Sequence, residues 1–134
     1  MKIEEDIKLD FNDVLIRPKR STLSSRSQVC LERTLTFVNS GQTWTGVPIL
    51  SSNMDTIGTY DVYKVLVEHK MITVFHKFYS VDDYVTMSNE GLNKEYFMVS
   101  TGISSKDLER LNQIMEAIDV KFICIDVANG YMER

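Results

Sequence analysis

The sequence predicts an α/β fold built on a parallel sheet, and three observations carry that expectation. Short apolar runs recur at 47–50 (VPIL), 71–75 (MITVF), 96–99 (YFMV) and 121–125 (KFICI), with starts spaced by 24, 25 and 25 residues. Each run is continuous rather than alternating, as expected of parallel strands covered on both faces. The stretches between them carry helical periodicity, and strand–helix alternation of this kind implies right-handed crossovers within one parallel sheet.

The elements follow in chain order. Residues 1–10 (MKIEEDIKLD) are charged throughout and contain no apolar leader core. Residues 11–26 read as loop, with Pro18 and a Ser/Thr-rich run, and the basic Arg17-Pro18-Lys19-Arg20 reads as a solvated part of it. Residues 29–37 alternate, placing Val29, Leu31, Arg33, Leu35 and Phe37 on one side of a strand. SGQTWTGVP is a turn-rich connection into the first apolar run.

After that run, Val62, Val65, Leu66 and His69 mark a helical stripe. The next helix starts at Ser80 with Asp83 three residues on. The last starts at Ser104 with Asp107 three residues on, and carries Leu108, Leu111, Ile114, Met115 and Ile118 on one face. Met87, Met98 and Met115 are expected to fill core gaps.

Composition excludes several classes. With 43% hydrophobic and 25% charged residues in 134, disorder and low complexity are excluded, and no apolar run reaches the ~18 residues of a membrane span. A net charge of −4 gives no electrostatic reason to bind nucleic acid. Cys30 and Cys124 lack a neighbouring His or paired Cys, so they are expected as two buried reduced thiols and not as nucleophiles or metal ligands. Nucleotide-binding glycine loops, the zinc-protease helix motif and the nucleophile elbow are all absent.

In parallel β/α folds the C-terminal ends of the strands share one rim, where ligands bind. Here that rim collects Ser51, Ser52, Asn53, Met54 and Asp55 after the first run, and His76 and Lys77 after the second. Ser100, Thr101 and Gly102 follow the third, and Asp126, Val127, Ala128, Asn129 and Gly130 the fourth. Taken singly, Asp55 could cap a turn, His76 and Lys77 could be plain loop, and Asn129-Gly130 is a turn dipeptide. Their convergence points to a binding rim, in which Lys77 and Asp126 could pair. The fourth run is followed by nine residues and no further helix. An incomplete barrel is therefore expected rather than a doubly wound domain, since a whole eight-fold barrel takes about 250 residues.

The segments KLDFNDVLIRPKRSTLSSRS, SGQTWTGVPILSSNMDTIGT, HKFYS, MVSTG and CIDVANGY resemble the amino-terminal part of GMP reductases, of the type shared by animals and enteric bacteria, over residues 1 to about 131. Two features separate them from the sister IMP dehydrogenases: the Asp126–Tyr131 loop and the short connection between the second and third strands. The resemblance implies a (β/α)8 TIM barrel, with 1–46 as an N-terminal extension of loop and strand and 47–134 as the first half of the barrel. It implies NADPH-dependent reductive deamination of GMP to IMP and ammonia in a cytoplasmic homotetramer, without nucleic-acid or membrane partners. In that chemistry a cysteine thiolate attacks the purine C2, ammonia leaves, and the covalent intermediate accepts a hydride.

On matching positions, Lys77, Asp126, Val127 and Ala128 would contact cofactor, and Ser25 and Arg26 would reach its adenosine end from a neighbouring subunit. Asn53, Asp55, Asn129 and Gly130 would line the substrate rim. Neither Cys30 nor Cys124 matches the nucleophile, which is expected beyond residue 134 together with the monovalent-cation (potassium) site. Phe78 replaces a frequent His, and Phe75 replaces a small residue at the end of an inner strand, where repacking of the barrel interior is expected. The remaining alternatives are a non-catalytic half-barrel that binds a nucleotide or a partner chain, and a fragment of an IMP dehydrogenase.

Overall fold

Each helix begins where a side-chain hydroxyl can take up a free amide. Thr59 caps α1 (Tyr60–Leu66), Ser80 caps α2 (Val81–Asn89) and Ser104 caps α3 (Ser105–Ala117). The predicted Ser80/Asp83 and Ser104/Asp107 signatures are both closed capping boxes. These elements belong to a computed structural model that describes residues 3–133. Its strands are β1 (Arg33–Thr36), β2 (Thr43–Gly46), β3 (Leu50–Ser51), β4 (Ile72–Phe75), β5 (Phe97–Thr101) and β6 (Ile123–Ile125).

The chain divides into two compact units, Met1–Cys30 and Leu31–Arg134. The first carries two short 3-10 turns, Phe11–Asp13 capped by Asp10 and Arg26–Gln28 capped by Ser25.

In the second unit β3, β4, β5 and β6 form one parallel sheet in that order. Because spatial order follows chain order, right-handed crossovers carry every helix to the same face. Tyr63 of α1, Tyr84 and Met87 of α2, and Leu111 and Ile114 of α3 accordingly share one core cluster with Phe75, Phe97 and Val99. The centre of the sheet is buried apart from half-buried Met98 of β5, and all four residues of β4 are buried. Its flanks are not: Leu50 at one edge is 50% exposed, and Ile125 at the other is 64% exposed.

Several expectations need correction. The stretch 29–37 is a strand only over Arg33–Thr36, and that strand has no buried face. The turn-rich connection instead contains β2, antiparallel to β1, with the chain reversing through Gly41 at φ 67°. What anchors this hairpin is Trp44, which is buried and donates Nε1–H to the Glu95 carbonyl at 2.7 Å. Lys121 adds to the anchoring by donating to the Thr43 carbonyl at 3.0 Å and pairing with Glu95 at 2.6 Å.

The α1 stripe is rotated by one position from the expected one. Tyr63 is its buried residue, with Val62, Leu66 and Val67 half-buried, whereas Val65 and His69 are exposed. Leu111 and Ile114 of α3 and Ile118 at its C-cap are buried, but Leu108 and Met115 are not. Cys124 is half-buried and Cys30 is exposed, alongside exposed Val29 and Leu31. Phe75 does not enter the face opposite the helices. Its register partner is Val99, and its ring packs against Tyr63 and Tyr84 in the helix layer.

Two consequences for stability follow. Thr73 is fully buried and its Oγ1 has no hydrogen-bond partner. Thr73→Val removes that unpaired hydroxyl at nearly constant shape, and should stabilise the protein by about 1–2 kcal/mol in urea unfolding.

The Asp83 and Asp107 carboxyls are held below the usual carboxylate range, chiefly by the Ser80 and Ser104 hydroxyls and then by the backbone amides of the same residues. Depressed values mean that their stabilisation is present above about pH 4 and is lost as pH falls through the lowered values. Asp83→Asn/Asp107→Asn should therefore lose less thermal midpoint than the parent between neutral pH and about pH 3.

Candidate functional site

The rim is assembled by how β3–β6 end. β4 runs into His76, whose amide donates to the Gly58 carbonyl at 3.0 Å and whose Nδ1 accepts from the Phe78 amide at 3.2 Å. The His76 ring stacks on Tyr79 with centroids 4.1 Å apart. Tyr79 is itself pinned: its hydroxyl accepts from the Tyr60 amide at 3.0 Å, and its carbonyl accepts from Arg110 at 2.6 Å. His76 is thus buried and spent on holding the loop, and Lys77 is what the loop presents. The Lys77 ammonium lies 5.8 Å from the Phe78 ring centroid.

β6 leads directly into Asp126, whose amide donates to the Thr101 carbonyl at 2.9 Å. Its Oδ2 accepts from Asn53 Nδ2 at 2.8 Å. The anticipated Lys77–Asp126 ion pair is not formed, because Asp126 has the Asn53 amide instead and Lys77 makes no ion pair among the described residues. Both residues nevertheless line the same cavity of about 50 Å³, together with Ser100, Thr101, Gly102 and Asp107. That volume holds one small polar group, not a nucleotide.

The electrostatics of this corner are mixed. Asp107 is a rim residue that sequence reasoning missed, because its capping signature already accounts for it. Its carboxylate packs on Gly102, where an added Cβ would stand 2.5 Å from Oδ2, and the Lys77 charge helps to keep it ionised. Ser100 is buried, and its Oγ has no partner stronger than the Cys124 thiol. Beside it on the same face, by register, is Cys124, a weak hydrogen-bonding group. Burial, and then the Asp126 charge, push the Cys124 thiol up, away from the thiolate a nucleophile needs.

The remaining candidates are placed apart from this cavity. Asp55 is exposed in the turn after β3. Val127 is half-buried and Ala128 exposed, while Asn129 turns its Oδ1 to the Tyr131 amide at 3.0 Å beside exposed Gly130. Ser25 and Arg26 belong to the first unit, where they line an open recess of about 300 Å³ with Ser21, Leu23, Ser24 and Val29. Among the described residues no three His, Cys, Asp or Glu side chains gather as a metal site, and no helix is long and apolar enough to cross a membrane.

The sequence matches the IMP dehydrogenase / GMP reductase domain over residues 8–134. The chain belongs to the IMP dehydrogenase / GMP reductase family. Among members of that family it is 52% identical to GMP reductase 1 of Mus musculus, over 99% of this chain and 39% of the mouse protein. It is equally 52% identical to the GMP reductase of Citrobacter koseri, over 100% of this chain and 40% of that one. The chain therefore spans about 40% of the length of these curated relatives. In structure it resembles the family's inosine 5′-monophosphate dehydrogenase from Legionella pneumophila, with a TM-score of 0.70 and 25% identity, over 92% of this chain and 36% of that one.

Proposed function

We propose that this chain is the amino-terminal part of an NADPH-dependent GMP reductase, which converts GMP to IMP and ammonia in purine nucleotide metabolism. The observation that carries the proposal is the 52% identity to GMP reductases over essentially the whole chain. On this reading residues 47–134 are the opening half of a (β/α)8 barrel and residues 1–46 an extension before it. Helices on one face and a strand order that follows the chain support that architecture. So does the apolar cleft of about 350 Å³ beside β6, lined by Ile103, Leu108, Leu111, Ile123 and Ile125, where a further strand and helix of a barrel would pack.

The rim suits the polar end of a nicotinamide dinucleotide. Lys77 is a donor without an ion-pair partner among the described residues, Asp126 has one carboxylate oxygen outside its bond to Asn53, and the Ser100 hydroxyl in the same lining has only the weak Cys124 thiol beside it. Lys77 and the Asp126-Val127-Ala128 loop would hold and orient the cofactor, which supplies the hydride when bound. Asn53, Asp55, Asn129 and Gly130 would border the purine. Ser25 and Arg26 would reach the adenosine end from a neighbouring subunit of a cytoplasmic homotetramer. The raised Cys124 thiol fits a packing role, and this reading places the nucleophilic cysteine and the potassium site outside these 134 residues.

The test uses protein expressed from its complete coding sequence. GMP-dependent loss of NADPH absorbance, with equimolar IMP and ammonia, is the expected result. IMP-dependent reduction of NAD, without NADPH oxidation, would instead identify an IMP dehydrogenase.

A further inference from the structure

The bond between Asn53 and Asp126 joins residues 73 apart in sequence, across the two outermost strands of the sheet. β3 and β6 are separated by β4 and β5, and three inter-strand steps of about 4.8 Å would hold their ends roughly 14 Å apart in a flat sheet. A 2.8 Å hydrogen bond between the residues that follow them means that the curvature of the sheet and the two loops together bring these side chains across the rim. Only Nδ2 of Asn53 can donate, so its amide orientation is set by the carboxylate it faces. Asp126 Oδ2 is thereby fixed on the β3 side of the rim. The carboxylate is left with its second oxygen for the cavity it shares with Lys77.

We propose that Asn53 is a positioning residue that acts through Asp126, orienting one carboxylate oxygen so that the other accepts a hydrogen bond from a donor group of the bound dinucleotide. This rests on the reading of Lys77 and Asp126 as cofactor contacts. An exposed Asp side chain has freely rotating torsions, and each wrong orientation dilutes the binding-competent one. A charge-assisted bond from a half-buried amide removes most of that freedom before ligand arrives. Asp126 cannot be fixed in this way by Lys77, which forms no ion pair with it. The signature that separates positioning from direct contact is non-additivity, since Asn53 should matter only while Asp126 is present.

The test is a double-mutant cycle on the protein from its complete coding sequence, reading KM for NADPH, KM for GMP and kcat. Asn53→Ala is expected to raise the NADPH KM about tenfold, a larger factor than any change it makes in the GMP KM. Asp126→Ala should raise it at least as far, and Asn53→Ala added to Asp126→Ala should change nothing more. Asn53→Gln, which keeps the amide donor on a longer arm, should recover part of the loss and serves if the alanine variant does not fold. An Asn53 effect that persists at full size in the Asp126→Ala background would overturn the proposal, as would an NADPH KM unchanged by either Asn53 variant. Failure of the parent protein to oxidise NADPH with GMP would instead count against the functional reading on which the proposal rests.

Discussion

Phe75→Ala is expected to destabilise the protein by about 3–5 kcal/mol in chemical denaturation. Its ring is fully buried, and four aromatic rings surround it, Tyr63, Tyr79, Tyr84 and Phe97, with centroids between 5.6 and 5.9 Å away. Those rings come from α1, the β4–α2 loop, α2 and β5, so one truncation opens a void where four elements meet. Against a total stability of about 5–15 kcal/mol for an ordinary domain, such a loss approaches unfolding. Phe75→Leu, which keeps most of the volume, should cost appreciably less. A loss under about 1 kcal/mol for the alanine variant would contradict the central place of this ring. The same ring holds Tyr79, which stacks on His76, so partly folded variants should also lose order in the loop that presents Lys77.

Lys77→Met should lower kcat/KM for NADPH by about 10–100-fold, the effect of removing a charged hydrogen-bond donor worth roughly 1.5–3 kcal/mol. Its thermal midpoint should stay within a degree or two of the parent, because Lys77 is exposed and forms no ion pair among the described residues. Enzyme assays beside a melting curve check both halves. Unchanged kinetics would remove Lys77 from the cofactor site, whereas a large drop in midpoint would recast it as structural.

What was legible in the sequence was what local rules decide. The Ser80 and Ser104 caps need only a hydroxyl and an acid three residues on, and they stand where expected. The 25-residue spacing of apolar runs placed β4, β5 and β6, of which β4 and β5 are the buried parallel strands and β6 is an exposed edge. Long-range partners decided the rest. β2 is four residues with a terminal glycine, and becomes a strand because Trp44 finds the Glu95 carbonyl 51 residues away. The α1 stripe was out of phase because Tyr63 reads as half-polar in sequence, yet its hydroxyl is satisfied by the Asn93 amide at 2.7 Å and its ring can be buried. Which side of β4 carries Phe75 depends on the face the helices take, and alternation along a buried strand does not encode that.

At the rim, sequence brought Lys77, Asp126, Ser100 and Asn53 to one end of the sheet because strand direction alone puts them there. It could not show that Asn53 and Asp126 meet across two intervening strands, or that Asp107 joins them. Both facts come from tertiary geometry: the approach of the residues after β3 and β6 across the rim, and the absence of a side chain at Gly102 that lets the Asp107 carboxylate close in.

The most direct measurement is a crystal structure of the protein from its complete coding sequence with NADP and GMP bound. The dinucleotide should lie over the C-terminal rim of the sheet, within hydrogen-bond distance of Lys77 and of the Asp126-Val127-Ala128 loop, with the Asn53–Asp126 bond intact. A dinucleotide bound elsewhere, leaving that rim to solvent, would contradict the assignment.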